Sequence, residues 1–330
     1  MKIIVTGAAG FMGSHLFDYL LKKGHQLLGI DNYSIGEYKH PNIKKIDVAK
    51  EPVKLAAAIK NFKPDILFHL AAWAHEGLSQ FSPIRITETN YNGYLNTLVP
   101  SIRAGVKRVV VCSSMSVYGN QNPPFDEDMS RKPVDIYAVA KSAMEEATEI
   151  LSRVHGFEYI IVRPHNVYGP RQSLSDPYRN VVAIFINCLL RNKPFYIYGD
   201  GEGRRAFTYI DDFTPYLAKT GFIRQSGLIF NIGPEEDYSI NDLAKEILKH
   251  FHDAPKPIYL PDRPLEVKQA FCTSDKAKKF LGYKTSISFS DGIAKMVKWA
   301  KEIGPKEPAY LNELELTNQD TPKTWKDKLI

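Results

Sequence analysis

Two textures of apolar positions alternate along the first 165 residues. Short runs rich in β-branched residues occupy 2–5, 26–30, 44–46, 66–69, 108–112 and 159–162. Runs that stay apolar without alternating predict strands buried on both faces. Between them, at 11–23, 53–61, 83–104 and 136–155, apolar residues recur at helical spacing and predict amphipathic helices. Strands that alternate with helices predict a parallel sheet covered on both sides, the α/β doubly wound class.

After Arg163-Pro-His-Asn-Val-Tyr-Gly-Pro170 the texture changes. Gly, Pro and Tyr become frequent. A strand at 195–198 alternates irregularly with helices at 181–190, 239–250, 274–281 and 289–303. This predicts a smaller mixed α/β C-terminal domain for the substrate. Residues 1–165, plus roughly 206–232, are expected to form the sheet domain, and 166–205 with 233–330 the interleaved second one. The polar segment 305–330 carries three prolines and reads as a surface wrap or a partly ordered tail.

Composition changes this picture little. With 330 residues, 44% hydrophobic and 24% charged, the chain has material for one large domain and a smaller one. The 43 basic and 37 acidic residues leave a charge of +6 spread along the chain, without a basic run to suggest nucleic acid. That surplus suits an anionic small molecule. Cys112, Cys188 and Cys272 lack metal-ligand spacing and read as reduced core thiols of a cytoplasmic protein. The chain opens directly on a strand, with no room for a signal peptide. Its most apolar long stretch, 181–190, falls far short of the ~20 residues of a membrane helix.

Candidate chemistry begins at Val5-Thr-Gly-Ala-Ala-Gly-Phe-Met-Gly13, which follows a strand and opens a helix. Gly7 permits the tight turn, Gly10 lets backbone approach a pyrophosphate, and Gly13 lets the helix pack on the sheet. The phosphate would meet the free N–H groups of that helix, which starts at Phe11 and Met12. By itself the G-x-x-G-x-x-G spacing describes a plain strand-to-helix turn equally well. Asp31, in Leu28-Gly-Ile-Asp31-Asn32, adds a carboxylate at the end of the second strand, where a ribose diol is read. It can accept from both hydroxyls and repel a 2′-phosphate, which predicts NAD over NADP. Asp47, ending the next strand, either reaches the adenine edge or caps a loop.

Ile136-Tyr-Ala-Val-Ala-Lys141 places a phenol and an ammonium on one helix face. A phenol with a pKa of ~10 is a poor base at neutral pH. A neighbouring cation favours its ionised form and makes proton exchange with a sugar hydroxyl feasible. Ser114, at the end of the strand 108–112, would point into the same crevice and bridge the phenol and the reacting oxygen.

These residues together resemble the extended short-chain dehydrogenase/reductases, specifically the nucleotide-sugar epimerases and dehydratases built on a Rossmann domain. The likeness includes His69-Leu-Ala-Ala72, Asn90-Tyr-Asn-Gly93, Val117-Tyr-Gly119, Gly199-Asp-Gly201, Arg205, Tyr209-Ile-Asp-Asp212, Asn231-Ile-Gly233 and Arg263-Pro-Leu-Glu266. It implies that Gly7, Gly10, Phe11, Met12, Gly13, Asp31, Asn32, Asp47, Val48, Leu70, Ala71, Ala72, Asn90, Tyr137 and Lys141 contact NAD. It further implies Tyr137 as acid/base, Ser114 as its hydrogen-bonding partner and Lys141 as the residue that tunes it. Ser114, Ser116, Asn166, Asn180, Val181, Arg205, Arg263 and Glu266 are the implied holders of a nucleotide diphosphate-sugar. Guanidinium groups match phosphate oxygens, although surface ion pairing would account for the same arginines. The family also implies a homodimer through helices 83–104 and 136–155, whose apolar stripes would serve equally well as core.

The residues after Ser114 narrow the reaction that the resemblance implies. Dehydratases resemble Thr-Asp-Glu-Val-Tyr-Gly there, whereas this chain has Met115 and Ser116. The glutamate of the decarboxylases is missing as well, and Ser116 and Asn180 replace the residues expected of 3,5-epimerases. What remains is oxidation at C4, rotation of the 4-keto sugar and return of hydride to the opposite face, as in galactose-type 4-epimerases acting on UDP-hexoses. Ala270 is small where a tyrosine would narrow the sugar pocket, which leaves N-acetylated hexoses open. His165 stands where an aromatic residue often lies beside the nicotinamide. His75 and Glu76 either line the sugar pocket or are solvated, and 172–179 either covers the nucleotide or lies on the surface. A 4-keto-sugar reductase is the nearest rival, which Asp31 disfavours. A non-catalytic NAD sensor is the other, which the complete Ser114, Tyr137 and Lys141 set disfavours.

Overall fold

The computed structural model describes residues 1–263 and 267–330. The expected strands form as β1 (Lys2–Thr6), β2 (Gln26–Asp31), β3 (Ile43–Lys45), β4 (Ile66–His69), β5 (Arg108–Cys112) and β6 (Glu158–Pro164). A further strand, β7 (Leu228–Ile232), pairs in parallel with β6. It completes a seven-stranded sheet of order β7-β6-β5-β4-β1-β2-β3. Asn231 interrupts its apolar run and Gly227 and Gly233 bracket it, so periodicity alone leaves it unmarked.

Alternate strand residues divide between the two faces. Ile3, Val5, Val110, Ile160 and Val162 pack with Leu16, Phe17 and Leu217. Ile4, Leu67, Val109, Val111 and Ile161 pack on the other side with Leu55, Leu98 and Met144. With both faces covered, no polar partner is needed at alternate positions, hence the unbroken apolar runs.

Around the sheet lie α1 (Phe11–Lys22), α2 (Pro52–Phe62), α3 (Pro83–Thr87), α4 (Gly93–Arg103) and α5 (Ile136–His155). The expected helix 83–104 is not uniform: a π-helical turn, Glu88–Asn92, joins α3 to α4. Asn90 in that turn is fully buried, and its amide accepts from Trp73 N–H at 2.7 Å and donates to Trp73 C=O at 3.0 Å. At the start of α5 the Asp135 carboxylate accepts from Ala138 N–H at 2.7 Å, a conventional N-cap.

Beyond residue 165 the chain leaves the sheet through α6 (Val181–Leu190) and returns through α7 (Ile210–Thr220), which packs on α1, and β7. It leaves again through α8 (Ile240–Leu248), α9 (Asp275–Leu281) and α10 (Phe289–Ile303). The core does not divide with it. The cluster on the α1 face runs on into Phe185, Phe195, Phe207, Leu243 and Met296.

The segment 305–330 is a packed wrap. Trp325, 6% exposed, joins Leu78 and Phe81, flanked by Tyr178, Leu311 and Leu314. Few apolar residues set among many charges concealed this packing in the sequence. Among the described residues no helix is long and apolar enough to cross a membrane.

Candidate active site

Strand β1 ends at Thr6, whose hydroxyl lies 3.0 Å from His69 Nδ1 at the end of β4 and accepts from Leu70 and Ala71 N–H at 3.2 Å. Burial lowers the His69 pKa to about 3, so this ring is neutral. Two strand-end turns are thereby fastened together where the strand order reverses, the place at which a doubly wound sheet opens its crevice. Gly7 has φ +69°, and a Cβ there would sit 2.8 Å from Ala71 N; one on Gly13 would overlap the Gly7 carbonyl.

Helix α1 begins at this turn with Gly10 as N-cap and no side-chain cap. Gly7, Gly10, Phe11, Met12 and Gly13 line the first cavity, together with Asp31, Asn32, Val48, Leu70, Ala71 and Ala72. The Asp31 carboxylate accepts from Ala9 N–H at 2.9 Å and Tyr33 N–H at 2.7 Å, and burial raises its pKa. Asp47 is not in this wall. Its carboxylate accepts from the Asn32 amide at 2.8 Å and from Ala49 and Lys50 N–H at 2.9 Å, so here it is the loop cap. Asn90 stands behind the wall and holds Trp73, which is in it.

Ser114, Tyr137 and Lys141 all line this cavity. Ser114 Oγ accepts from Ser116 N–H at 3.1 Å, which leaves its own proton free to donate. Lys141 Nζ donates to the Cys112 carbonyl at 2.7 Å and lies 5.7 Å from the centre of the Tyr137 ring. Burial lowers the Lys141 pKa to about 8. Burial also pushes the Tyr137 phenol up, and the charge that opposes this most is Arg179.

Arg179 ends the segment 172–179, which folds over the crevice. Gln172, Ser173, Asp176 and Arg179 face the first cavity, while Pro177, Tyr178 and Arg179 face a second. His75 Nε2 lies 2.7 Å from Asp176 Oδ2 and pins this segment to the loop after β4. Although burial alone would raise it, His75 holds the Asp176 carboxyl below its ordinary pKa. Burial works against the Arg179 charge too, and the Glu76 carboxylate is the main influence that sustains it.

The second cavity shares Glu76, Met115, Asn166, Val167, Arg179 and Asn180 with the first. Ser116, Val181, Arg205, Arg263 and Ala270 line it, with an apolar slot of Phe185, Tyr196, Tyr198 and Phe207. The Arg263 guanidinium sits 4.8 Å from the Tyr198 ring centre. Arg205 donates to the carbonyls of Arg204 at 2.9 Å and Lys268 at 3.0 Å, and also to that of Val267. Asn166 and Asn180 adopt φ of 26° and 68°, a region asparagine tolerates. Glu266 lies outside the described residues. His165 corrects its expectation. It is fully buried against Gly233, where a Cβ would be 2.5 Å from the ring, and burial lowers its pKa to about 4. Its neighbours Pro164 and Asn166 face the cavity instead.

Two cavities thus adjoin through Glu76, Met115, Asn166 and Arg179, the first lined by the glycine turn and the Ser–Tyr–Lys set and the second by Arg205 and Arg263 as well. Residues 3–233 match the model of the NAD dependent epimerase/dehydratase family. The chain belongs to this family. It is 31% identical over 319 residues to the UDP-N-acetyl-alpha-D-glucosaminuronate decarboxylase of Bacillus cytotoxicus, spanning 92% of this chain and 98% of that one. It resembles the UDP-glucose 4-epimerase of Thermotoga maritima, solved with UDP-glucose, with a TM-score of 0.86 and 32% identity over 92% of this chain and 99% of that one. The UDP-glucose 4-epimerase of Thermus thermophilus, solved with NAD, gives 0.83 and 27% over 91% and 98%. The protein is an NAD-dependent enzyme of the nucleotide-sugar epimerase type.

The residues present fit the cofactor of the epimerase/dehydratase family. An uncapped helix start, glycines with no room for a side chain and a buried carboxylate at the β2 end form a cradle for a pyrophosphate and a ribose diol. Two features of this family member escaped sequence reasoning. Arg179 ends the segment 172–179, for which cover and surface were equally open, and no motif in the sequence marks its guanidinium. The tail residues of the second cavity lie beyond the matched span and belong to no motif.

Proposed function

We propose that the enzyme inverts C4 of a nucleotide diphosphate-sugar, a UDP-hexose or UDP-N-acetylhexosamine, through a transient 4-keto sugar while keeping its NAD. The observation that carries this reading is the buried Ser114, Tyr137 and Lys141 set in the wall of the first cavity, followed on the chain by Met115, which lines both cavities, and Ser116, which lines the second. No carboxylate follows Ser114 directly on the chain to drive elimination. Ionised Tyr137 takes the proton of the 4-hydroxyl while Ser114 donates a hydrogen bond to the same oxygen. Lys141 favours the phenolate by its charge and would hold the nicotinamide ribose. NAD, when bound, would supply the redox chemistry at C4, as hydride acceptor and then as donor. Tyr137 then returns its proton to the C4 oxygen, so nothing is gained or lost overall. Arg205 and Arg263 hold the diphosphate, and Ala270 leaves room at C2 of the sugar.

One observation favours a second reading, a sugar carrying a carboxylate. Arg179 brings a buried guanidinium, its charge sustained mainly by Glu76, to the wall that both cavities share, and the Bacillus cytotoxicus relative is named for a uronate. Both readings extend to a homodimer through α5 and the 83–104 segment, in a cytoplasm whose reducing conditions suit three buried free thiols.

NMR of the purified protein with UDP-glucose, UDP-N-acetylglucosamine, UDP-glucuronate and GDP-mannose, without added cofactor, tests the proposal. C4-epimer signals are expected, and the sugar that reacts decides between the readings. Tyr137→Phe should bind the same nucleotide sugar while turnover falls by about 10²–10⁴-fold. Near-normal turnover would remove Tyr137 from the proton-transfer role.

A further inference from the structure

We propose that the segment 305–330 is the outer wall of the nucleotide-sugar cavity, with Trp325 as a positioning residue for the nucleotide diphosphate. This rests on the nucleotide-sugar reading above and adds a part that no motif of the family supplies.

Pro322, Thr324, Trp325 and Ile330 line the second cavity. The Trp325 indole packs edge-on against Phe81 and Tyr178, with ring centres 5.9 and 5.3 Å apart. Its outer edge reaches Gly77. A Cβ on Gly77 would lie 3.3 Å from Trp325 Cη2 and 4.0 Å from Arg263 Nη1. The indole therefore ends beside the guanidinium offered to the diphosphate. Thr324 reaches the same place from another side. Its hydroxyl lies 2.7 Å from the Tyr198 hydroxyl, and the Tyr198 ring is the platform under Arg263.

The tail's attachments converge on the two segments that cover the crevice. Leu316 N–H donates to Phe81 C=O at 3.0 Å, and Glu315 accepts from Ile84 and Arg85 N–H at 2.7 and 2.9 Å. On the other segment, Ala309 N–H donates to Ser175 C=O at 2.7 Å and Leu311 N–H to the Tyr178 hydroxyl at 3.0 Å. These segments carry Glu76 and Arg179 to the seam, so the tail braces both against each other. Length points the same way. The Thermotoga maritima structure is matched over 99% of itself but only 92% of this chain, and the surplus is of the size of this tail.

The chemistry gives such a wall a use. Between the two hydride transfers the 4-keto sugar must turn over while its nucleotide stays in place. A bulky side chain fixed beside the diphosphate holds the nucleotide without touching the sugar that rotates.

Calorimetric titration of UDP into the NAD-loaded enzyme, with steady-state kinetics on the sugar that turns over, tests this. Trp325→Ala should weaken UDP binding about tenfold and raise KM by a similar factor, with kcat within about threefold of wild type. Trp325→Phe, which keeps the packing against Phe81 and Tyr178 and loses reach toward Arg263, should fall between the two. It also carries the test if the alanine variant does not fold. Folded variants with UDP affinity and KM within about twofold of wild type would overturn the wall, whatever their melting temperatures. Wild-type protein that binds no UDP would instead overturn the nucleotide-sugar reading beneath it.

Discussion

At the scale of single residues, the proposed reaction turns on how a buried phenol would give up its proton. Burial favours the neutral form of Tyr137, and a positive charge nearby is the available remedy. Lys141 is bound to the Cys112 carbonyl, whereas Arg179 exerts the larger influence on the phenol. Removing that charge makes phenolate harder to form, so its pKa rises and more alkaline conditions are needed. Arg179→Leu should therefore move the rising limb of the kcat–pH profile upward by about one unit, with Arg179→Lys close to wild type. Glu76 acts on the phenol in the opposite sense. An unmoved limb in the leucine variant would leave the tuning to Lys141. The sequence exposed Tyr137 and Lys141 because helical spacing couples them locally. Arg179 reaches them only through a folded-over loop held by the His75–Asp176 contact, and no periodicity encodes that.

At the scale of elements, the site depends on how α5 is seated against β5 and β6. Arg163 Nε and Nη2 on β6 donate to the two Glu145 oxygens on α5 at 2.9 and 2.6 Å. Ser113, beside Ser114, donates to the same carboxylate at 2.5 Å. Both charged groups are buried, so breaking the pair strands a guanidinium in the core. Glu145→Ala should cost about 3–5 kcal/mol in denaturant unfolding. A loss below about 1 kcal/mol would mean that apolar packing alone seats α5. Helix α5 itself was legible from its spacing and its cap. Its buried ion pair was not, because each partner looks like an ordinary surface charge in its own segment. The π-helical turn was hidden for a related reason: apolar spacing continues across 83–104, and only the backbone shows that Asn90 turns inward.

At the scale of the molecule, one face of α5 remains uncovered. Val139, Ile150 and Val154 are 47%, 52% and 70% exposed at helical spacing on that face, and Ile84 and Val99 are exposed on the neighbouring helices. A dimer would bury them. Ile150→Glu should give a monomer by light scattering with unchanged helical circular dichroism, and a wild-type monomer would dismiss the expected four-helix interface. Six strands and their order of helices could be read directly, since burial on both faces writes itself as unbroken apolar runs. The continuous core and the packed tail could not, because both arise from contacts between segments distant in sequence.

The position of β7 also matters before the protein is complete. Strand β6 emerges from the ribosome with one side of its hydrogen-bonding ladder bare, and its partner follows only after residues 165–227 have been made. An apolar strand with an open edge is a template for another nascent chain. Synthesis halted anywhere in that interval leaves a nearly finished sheet with the apolar β6 strand as its open margin.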